Sequence, residues 1–276
     1  MKGKLYALYF SATGNTKKIT MHAANALAEQ LGRDVIEIDV TCPSARDKKY
    51  CFTKEDVLVV GAPTYAGKLP NKILPFFADN LKGDKTPCVP LVTFGNRDFE
   101  NSLAELCYVM VENGFRTVGG AAIVGEHPFS KQLGTMRPTE EDLQEAEAWI
   151  EKLQEKMAQQ DMCENTNPEN VFVPGDAAAP YYVPKQVNGE PAVFLKAKPK
   201  TDMEKCTGCR ACVDVCPMGS VSAVDPSVIE GICIKCHGCI KGCPSGAKYM
   251  DDAMFLSHVR MLEENYREGK KNLYFL

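Results

Sequence analysis

The chain has 276 residues, 45% of them hydrophobic, with 32 Lys and Arg against 36 Asp and Glu. That exceeds one ordinary domain and supplies ample apolar side chains for a core. A net charge of −4, with no basic patch interleaved with aromatics, makes no case for nucleic acid, and no run approaches the roughly 18 to 20 apolar residues of a membrane span.

Residues 1–160 carry 19 basic and 21 acidic side chains and residues 161–276 carry 13 and 15, so neither half is a polyelectrolyte. The opening M-K-G-K-L-Y-A-L-Y-F runs straight into Ser11–Thr16 with no A-x-A-like cleavage site, and reads as the first strand of a cytoplasmic protein. β-Branched and aromatic runs then alternate with helical periodicity, the pattern of a parallel α/β sheet. Strands are expected at Leu5–Phe10, Asp34–Val40, Val57–Gly61, Cys88–Phe94 and Thr117–Val124, and helices at Thr16–Leu31, Asn71–Leu81, Ser102–Asn113 and Thr139–Met157. The last has Glu140 to Asp142 in its first turn and Leu143, Ala146, Ile150, Leu153 and Met157 at helical spacing, with Trp149 packing beside them.

In such a sheet, function lies at the carboxyl ends of the strands. After the first strand comes Ser11-Ala12-Thr13-Gly14-Asn15-Thr16, hydroxyls and a glycine at a helix N-terminus, a cradle for phosphate. Neither G-x-x-x-x-G-K-[ST] nor G-x-G-x-x-G is present, which sets aside a triphosphate loop and a Rossmann fingerprint. After the third strand comes Gly61-Ala62-Pro63-Thr64-Tyr65-Ala66-Gly67-Lys68-Leu69-Pro70, and after the fourth Thr93-Phe94-Gly95-Asn96-Arg97-Asp98-Phe99. Gly125–Ser130, after the fifth, either rims a ligand or is an ordinary loop.

These loops, in this order, resemble those of the flavodoxin family over residues 1–160. The resemblance implies a doubly wound five-stranded parallel sheet, order 2-1-3-4-5, binding FMN. Ser11, Thr13, Gly14, Asn15 and Thr16 would hold its phosphate. Pro63, Thr64, Tyr65 and Gly67 would cover one isoalloxazine face, Tyr65 stacking and Gly67 letting the backbone reorient. Thr93, Phe94, Gly95 and Asn96 would present the pyrimidine edge, with Phe94 or Phe99 the candidate for the second face. Arg97 either approaches the flavin or forms a salt bridge.

Residues 161–200, with Pro168, Pro174, Pro180, Pro184, Pro191 and Pro199, read as a proline-rich linker. Phe172, Tyr181, Tyr182 and Phe194 give it the means to dock, and Pro191–Leu195 alternates as one strand would.

Residues 201–252 contain C-T-G-C-R-A-C-V-D-V-C-P and C-I-K-C-H-G-C-I-K-G-C-P, two C-x₂-C-x₂-C-x₃-C-P runs. Zinc has no place for the third cysteine of such a run, and a disulfide framework suits a smaller secreted chain. The spacing is that of bacterial ferredoxins with two 4Fe-4S clusters. That resemblance implies an α+β domain in which Cys206, Cys209, Cys212 and Cys243 hold one cluster and Cys233, Cys236, Cys239 and Cys216 the other. Thr207-Gly208 and His237-Gly238 are the spacers expected to supply unusual φ values, and Pro217 and Pro244 turn the chain after the fourth ligands. Cys42, Cys51, Cys88, Cys107 and Cys163 are expected as buried or part-buried small residues.

Residues 253–276 read as a helix, Met254–Glu268, with Phe255, Val259 and Leu262 on one side, and an apolar tail, Leu273–Leu276, that docks on the protein. His22, His127, His237 and His258 show no ligand spacing, and His237 is expected as an exposed loop residue. Together the halves resemble the flavodoxin–ferredoxin fusion proteins of anaerobic bacteria. This implies an electron carrier relaying electrons between FMN and two 4Fe-4S clusters, to or from redox partner proteins such as ferredoxin-dependent oxidoreductases. The alternative is an FMN-dependent reductase of a quinone or nitro compound fed by its own ferredoxin domain. No residue is assigned a catalytic role.

Overall fold

The computed structural model describes residues 3–162 and 169–276; Cys163 and Pro168 lie outside them. The main sheet is built from β1 (Leu5–Tyr9), β2 (Val35–Asp39), β3 (Val57–Pro63), β4 (Thr86–Phe94), β5 (Gly120–Val124) and β6 (Leu273–Phe275). The principal helices are α1 (Asn15–Leu31), α2 (Leu74–Asp79), α3 (Ser102–Glu112), α4 (Glu140–Met162) and α5 (Ala253–Asn265). β1 to β5 are parallel in the order 2-1-3-4-5, and Phe115–Thr117 also pairs with the start of β4. This is the flavodoxin-like doubly wound order, with its switch point between β1 and β3.

Strands covered on both faces read as continuous apolar runs, and β3 and β5 are buried almost throughout. One apolar layer gathers β-strand side chains with Phe76, Phe77, Leu103, Leu106 and Met110 of α2 and α3, and the other with Ile19, Leu27, Leu143, Ile150 and Leu153 of α1 and α4. Helix α1 lies so close to β3 that a Cβ on Gly61 would stand 1.9 Å from Thr20 Oγ1. At the start of α4, Thr139 N donates to Asp142 Oδ2 at 2.7 Å and Asp142 N to Thr139 Oγ1 at 3.4 Å, a reciprocal cap.

The C-terminal tail docks as a strand. β6 runs antiparallel along β5, covering an edge that would otherwise be free. Trp149 of α4 holds it, its ring 5.5 Å from Tyr274 and its Nε1–H donating to Phe275 O at 3.3 Å. Helix α5 ends at Asn265, and its buried face is Phe255, His258, Met261 and Leu262, with Val259 only half-buried.

From residue 169 onward the proline-rich stretch packs against both halves, meeting the C-terminal one where Lys198 Nζ donates to Ile229 O at 2.9 Å and Lys235 Nζ to Leu195 O at 2.7 Å. Val171 N donates to Thr117 O, Tyr182 N to Ala66 O and the Tyr181 hydroxyl to Leu69 O. Lys68 Nζ, buried, pairs with Glu105 at 2.9 Å and donates to the carbonyls of Ala177 and Ala179. Phe172, by contrast, is 85% exposed, and Pro191–Leu195 forms no strand, only a bridge between Lys185 and Pro191. Of the scattered cysteines, Cys88 and Cys107 are buried as expected, whereas Cys42 and Cys51 are exposed.

Candidate functional site

The two cysteine runs fold as two copies of one backbone. Left-handed φ values recur at Gly208 and Lys235, at Arg210 and His237, and at Gly219 and Gly246, the same place in each copy. Each copy continues into a short helix, Ala211–Asp214 or Gly238–Lys241. In each, the amide four residues beyond the last cysteine donates to its sulfur: Ser220 N to Cys216 Sγ and Ala247 N to Cys243 Sγ, both 3.3 Å. The expected glycine spacer therefore holds in the first copy only. Gly238 is helical, and Lys235 and His237 carry the left-handed backbone instead. Gly238 answers a different need, because a Cβ there would stand 2.9 Å from Ala12 O in the first loop of the α/β domain.

The cysteines gather in two separate sets. One cavity is lined by Cys206, Cys209, Cys212 and Cys243 with Pro244, the other by Cys216, Cys233, Cys236 and Cys239 with Pro217. These are the crossed sets that two four-iron cubanes require, and all twelve described cysteines are free of disulfides. Among the described residues no three His, Cys, Asp or Glu side chains converge as ligands of a single ion; thiolates around a cube stand further apart. Burial pushes the Cys236 and Cys239 thiols up to about 12. Burial also pushes Cys243 up, but the Ser245 hydroxyl and the amides of residues 245–248 outweigh it and bring that thiol down.

At the carboxyl ends of β1, β3 and β4 the three loops converge. Gly14, with φ 95°, caps α1, whose first amides have no intrahelical acceptor. The loop is braced from outside: Ser11 Oγ accepts from Lys17 N and Ser11 N donates to Thr41 Oγ1, each 3.0 Å, while Asn15 Nδ2 donates to Glu126 O. The buried Thr16 hydroxyl shares a 2.7 Å hydrogen bond with that of Thr93. Thr13 and Gly14 remain at the rim. An anion's amide cradle is thus present.

In the second loop, Thr64 N donates to Thr93 O, and Tyr65 and Lys68 exchange backbone hydrogen bonds across Ala66 and Gly67, whose φ values are 50° and 77°. Pro63 ends β3 and leads into this turn. The third loop departs from expectation. Phe94 and Phe99 are both buried, 5.7 Å apart, and neither lines a cavity. Asn96, 1% exposed, spends its side chain on the C-terminal segment: Nδ2 donates to Tyr266 O and Glu268 O, and Oδ1 accepts from Lys270 N. Its backbone N–H donates to Phe94 O at 3.1 Å.

A cavity of about 190 Å³ opens beside the second and third loops, and no residue of Ser11–Thr16 is among those that line it. Thr64, Tyr65 and Gly67 line it from the second loop, Gly95 and Arg97 from the third, and His127 and Phe129 from the loop after β5. Sequence reasoning missed its outer wall, made by Tyr182, Pro184 and Phe194 of the proline-rich stretch, Ile234 and Lys235 of the second cysteine run, and His258 of α5. The aromatic content of the stretch was the available signal. Arg97 pairs with Glu100 at 2.6 Å and stacks on Tyr182, its guanidinium carbon 3.9 Å from the ring centroid. His127 Nδ1 accepts from Phe129 N at 3.1 Å, which leaves the proton on Nε2, and burial lowers its pKa to about 3.

His237 is buried rather than exposed. It stands 4.6 Å from Phe129 and 5.3 Å from Phe255, centroid to centroid, and burial brings its pKa down to about 4. The Tyr65 ring is half-buried beside the cavity, while its hydroxyl is held far above the usual phenol range by burial and, next, by Cys236 and Cys233. The flavin-type cavity and the second cysteine set therefore share a wall, and Ile234 lines both.

Residues 199–222 and 230–249 each match a 4Fe-4S binding domain. No curated protein matches the chain in sequence. Among solved structures it is similar to a flavodoxin from the domain Archaea, at 21% identity over 56% of this chain and 99% of that one, with a TM-score of 0.39. It is also similar to the oxidised Flavodoxin 2 of Bacillus cereus, at 16% identity over 56% and 99%, with a TM-score of 0.41. The chain thus carries two 4Fe-4S binding domains after a sheet of flavodoxin-like order.

Proposed function

We propose that this chain, a flavodoxin-like domain followed by two 4Fe-4S binding domains, is an electron carrier that holds FMN beside its two clusters and exchanges electrons with redox partner proteins. The observation that carries the reading is a cavity lined by the second and third loops and walled by the second cysteine run, with the first loop tied to the third through the Thr16–Thr93 hydrogen bond. Ser11, Thr13, Gly14, Asn15 and Thr16 would hold the FMN phosphate on the N-terminus of α1. Pro63, Thr64, Tyr65 and Gly67 would bound one side of the ring, and the backbone of Thr93 to Asn96 its polar edge. Bound there, FMN supplies the exchange of single electrons for pairs, and each cluster supplies a one-electron step.

The chain's own work is to position, shield and tune. Tyr182, Pro184 and Phe194 line one side of the cavity and would shield a bound flavin there. Lys68, paired with Glu105, ties that side to the second loop. His127, neutral with its proton on Nε2, is a donor to a ligand in the cavity rather than an acid. The free cysteines suit a reducing compartment such as the cytoplasm.

A stepwise reductive titration of anaerobically reconstituted protein, followed by flavin absorbance and cluster EPR together, tests this. Interleaved flavin and cluster signals at one-electron additions are expected. Failure to retain FMN in a replete preparation removes the flavin half of the reading; a flavin that takes only electron pairs and turns over a quinone or nitro compound replaces the carrier with a reductase.

A further inference from the structure

The two cysteine sets are alike in backbone and differ in surroundings at one matching pair: Cys212 and Cys239 are each 8% exposed, but Cys236 is 8% exposed where its counterpart Cys209 lies at the surface. The loop of Cys236 faces the cavity through Ile234 and Lys235 and the first phosphate-type loop through Gly238. In the other set, Met203 to Lys205 and Thr207 to Arg210 are all exposed, Cys209 among them. No residue lining the first set's cavity also lines the flavin-type cavity. Between the sets lies an apolar layer of Val213, Val215, Val221, Ile229 and Ile240.

Electron tunnelling falls off exponentially with distance, so a partner protein reacts with the centre that lies nearest the surface. Cys236 and Cys239 are buried behind the loop that lines the cavity with Ile234 and Lys235, whereas Cys209 is exposed to solvent. Beside Cys209 stands Arg210, exposed and without an ion pair or side-chain hydrogen bond among the described residues. The other cations of this face are spoken for: Lys205 pairs with Asp202 and Lys200 with Asp251, each 2.8 Å. Met203, 65% exposed, and Val224, 96% exposed and two residues before Pro226 of the same cavity, add apolar area. A small contact of an uncompensated cation with apolar flanks fits a transient, electrostatically guided encounter.

We propose that the cluster of Cys206, Cys209, Cys212 and Cys243 is the electron port, where a one-electron redox protein with an acidic face docks over Cys209 and Arg210. The cluster of Cys216, Cys233, Cys236 and Cys239 is the internal step between that port and the flavin site. A reduced cluster held by these four cysteines would pass one electron to the oxidised metal centre of the partner, with no bond made or broken and no proton transferred. The proposal rests on the function proposed above.

The full chain, reconstituted with iron, sulfide and FMN and reduced with stoichiometric dithionite, is mixed in a stopped-flow instrument with oxidised rubredoxin. This probe is a small acidic protein with one iron, whose bleaching reports Fe³⁺ becoming Fe²⁺. Iron, sulfide and FMN contents are measured before mixing, so a wild type that lacks a cofactor reports failure of the underlying reading, not of the port. Arg210→Glu is expected to keep all three contents and to slow the second-order transfer at least tenfold at low ionic strength, the difference closing as salt rises. Cys209→Ala is expected to lose the port cluster's EPR signal and over 99% of the transfer rate. Wild-type transfer by Arg210→Glu at low salt, or by a Cys209→Ala protein retaining only FMN and the second cluster, overturns the proposal. If Cys209→Ala loses both clusters, Arg210→Glu decides.

Discussion

The loops Cys206–Cys216 and Cys233–Cys243 follow the same path, yet one faces solvent and the other the α/β domain. At matching positions the first has Thr207, Gly208, Arg210 and Ala211, the second Ile234, Lys235, His237 and Gly238. Cysteine spacing sets the backbone, and the residues between the cysteines choose the neighbour. The second loop holds two non-glycine residues in left-handed conformation, each costing about 1–2 kcal/mol, where the first holds one. Its compensation is packing: His237 sits among Phe129 and Phe255, and Lys241 pairs with Glu126 of the loop after β5. The cysteines of the motif are the ligand candidates, and the residues between them make the docking contacts.

The largest effect should come from removing a ligand on the docked side. Cys236→Ala is expected to abolish the second cluster's EPR signal and, because metal binding is folding energy for such a loop, to raise hydrogen exchange in both 233–243 and the cavity wall at 182–194. Loss of the cluster with unchanged exchange in that wall would show that docking does not depend on ligation. Next is the buried pair that fastens the wall. Glu105→Gln leaves Lys68 charged and buried with two carbonyls and the Tyr181 ring but no counter-charge, and should lower unfolding stability by about 3 kcal/mol in urea titrations. The matched substitutions Gly238→Ala and Ala211→Gly sharpen the contrast. The first drives a methyl against Ala12 O and should cost about 1–3 kcal/mol and weaken FMN binding; the second should cost at most about 1 kcal/mol of helix propensity and leave FMN binding unchanged.

What could be read from the residues was what is local. Ligand spacing and strand periodicity are short-range, so the two cysteine runs and the three loop positions are legible in segments of a dozen residues, whereas the crossed cysteine sets and the order 2-1-3-4-5 were implied by the family resemblance those segments carry. What escaped depends on distant chain. Leu273–Phe275 becomes a strand only because β5 presents an open edge and Trp149 an indole to hold it. Asn96 belongs to a polar loop by sequence, but the returning chain at Tyr266, Glu268 and Lys270 claims its side chain. His237 looks like an exposed loop histidine until the α/β domain closes over it. Cys42 and Cys51 lie at the surface because their segments run along the rim, which composition does not encode.

Acid should act on the docked side first. His127, His237 and His258 are buried there, each with its pKa lowered chiefly by burial, and no histidine lies in the first loop. For His127 the folded value, about 3, lies below the unfolded 6.5, so the unfolded chain takes up the proton first. Stability is therefore full above pH 6.5 and declines below it, by up to about 1.4 kcal/mol per pH unit for one such group. Thermal unfolding between pH 7.5 and 5.5 should show this fall in the wild type and a shallower one in His127→Gln; equal slopes would mean that imidazole is already charged in the native protein.

The smallest expected effects separate two ion pairs, one beside each loop. Lys241–Glu126 is half-buried, and its carboxyl, though pushed up by burial, is brought below its usual range by the Lys241 ammonium. Its contribution is present above the unfolded carboxylate value and is lost as pH falls through the lowered one. Glu126→Gln should cost up to about 1 kcal/mol, and less at high salt. Lys200–Asp251, beside the first loop, joins side chains 60% and 45% exposed, where water competes for both charges. Asp251→Asn should leave the unfolding midpoint unmoved at any ionic strength. Since the two pairs have the same chemistry, a midpoint shift for Asp251→Asn as large as that for Glu126→Gln would mean that the first loop, too, is covered in solution, and its exposed face would no longer distinguish it from the second.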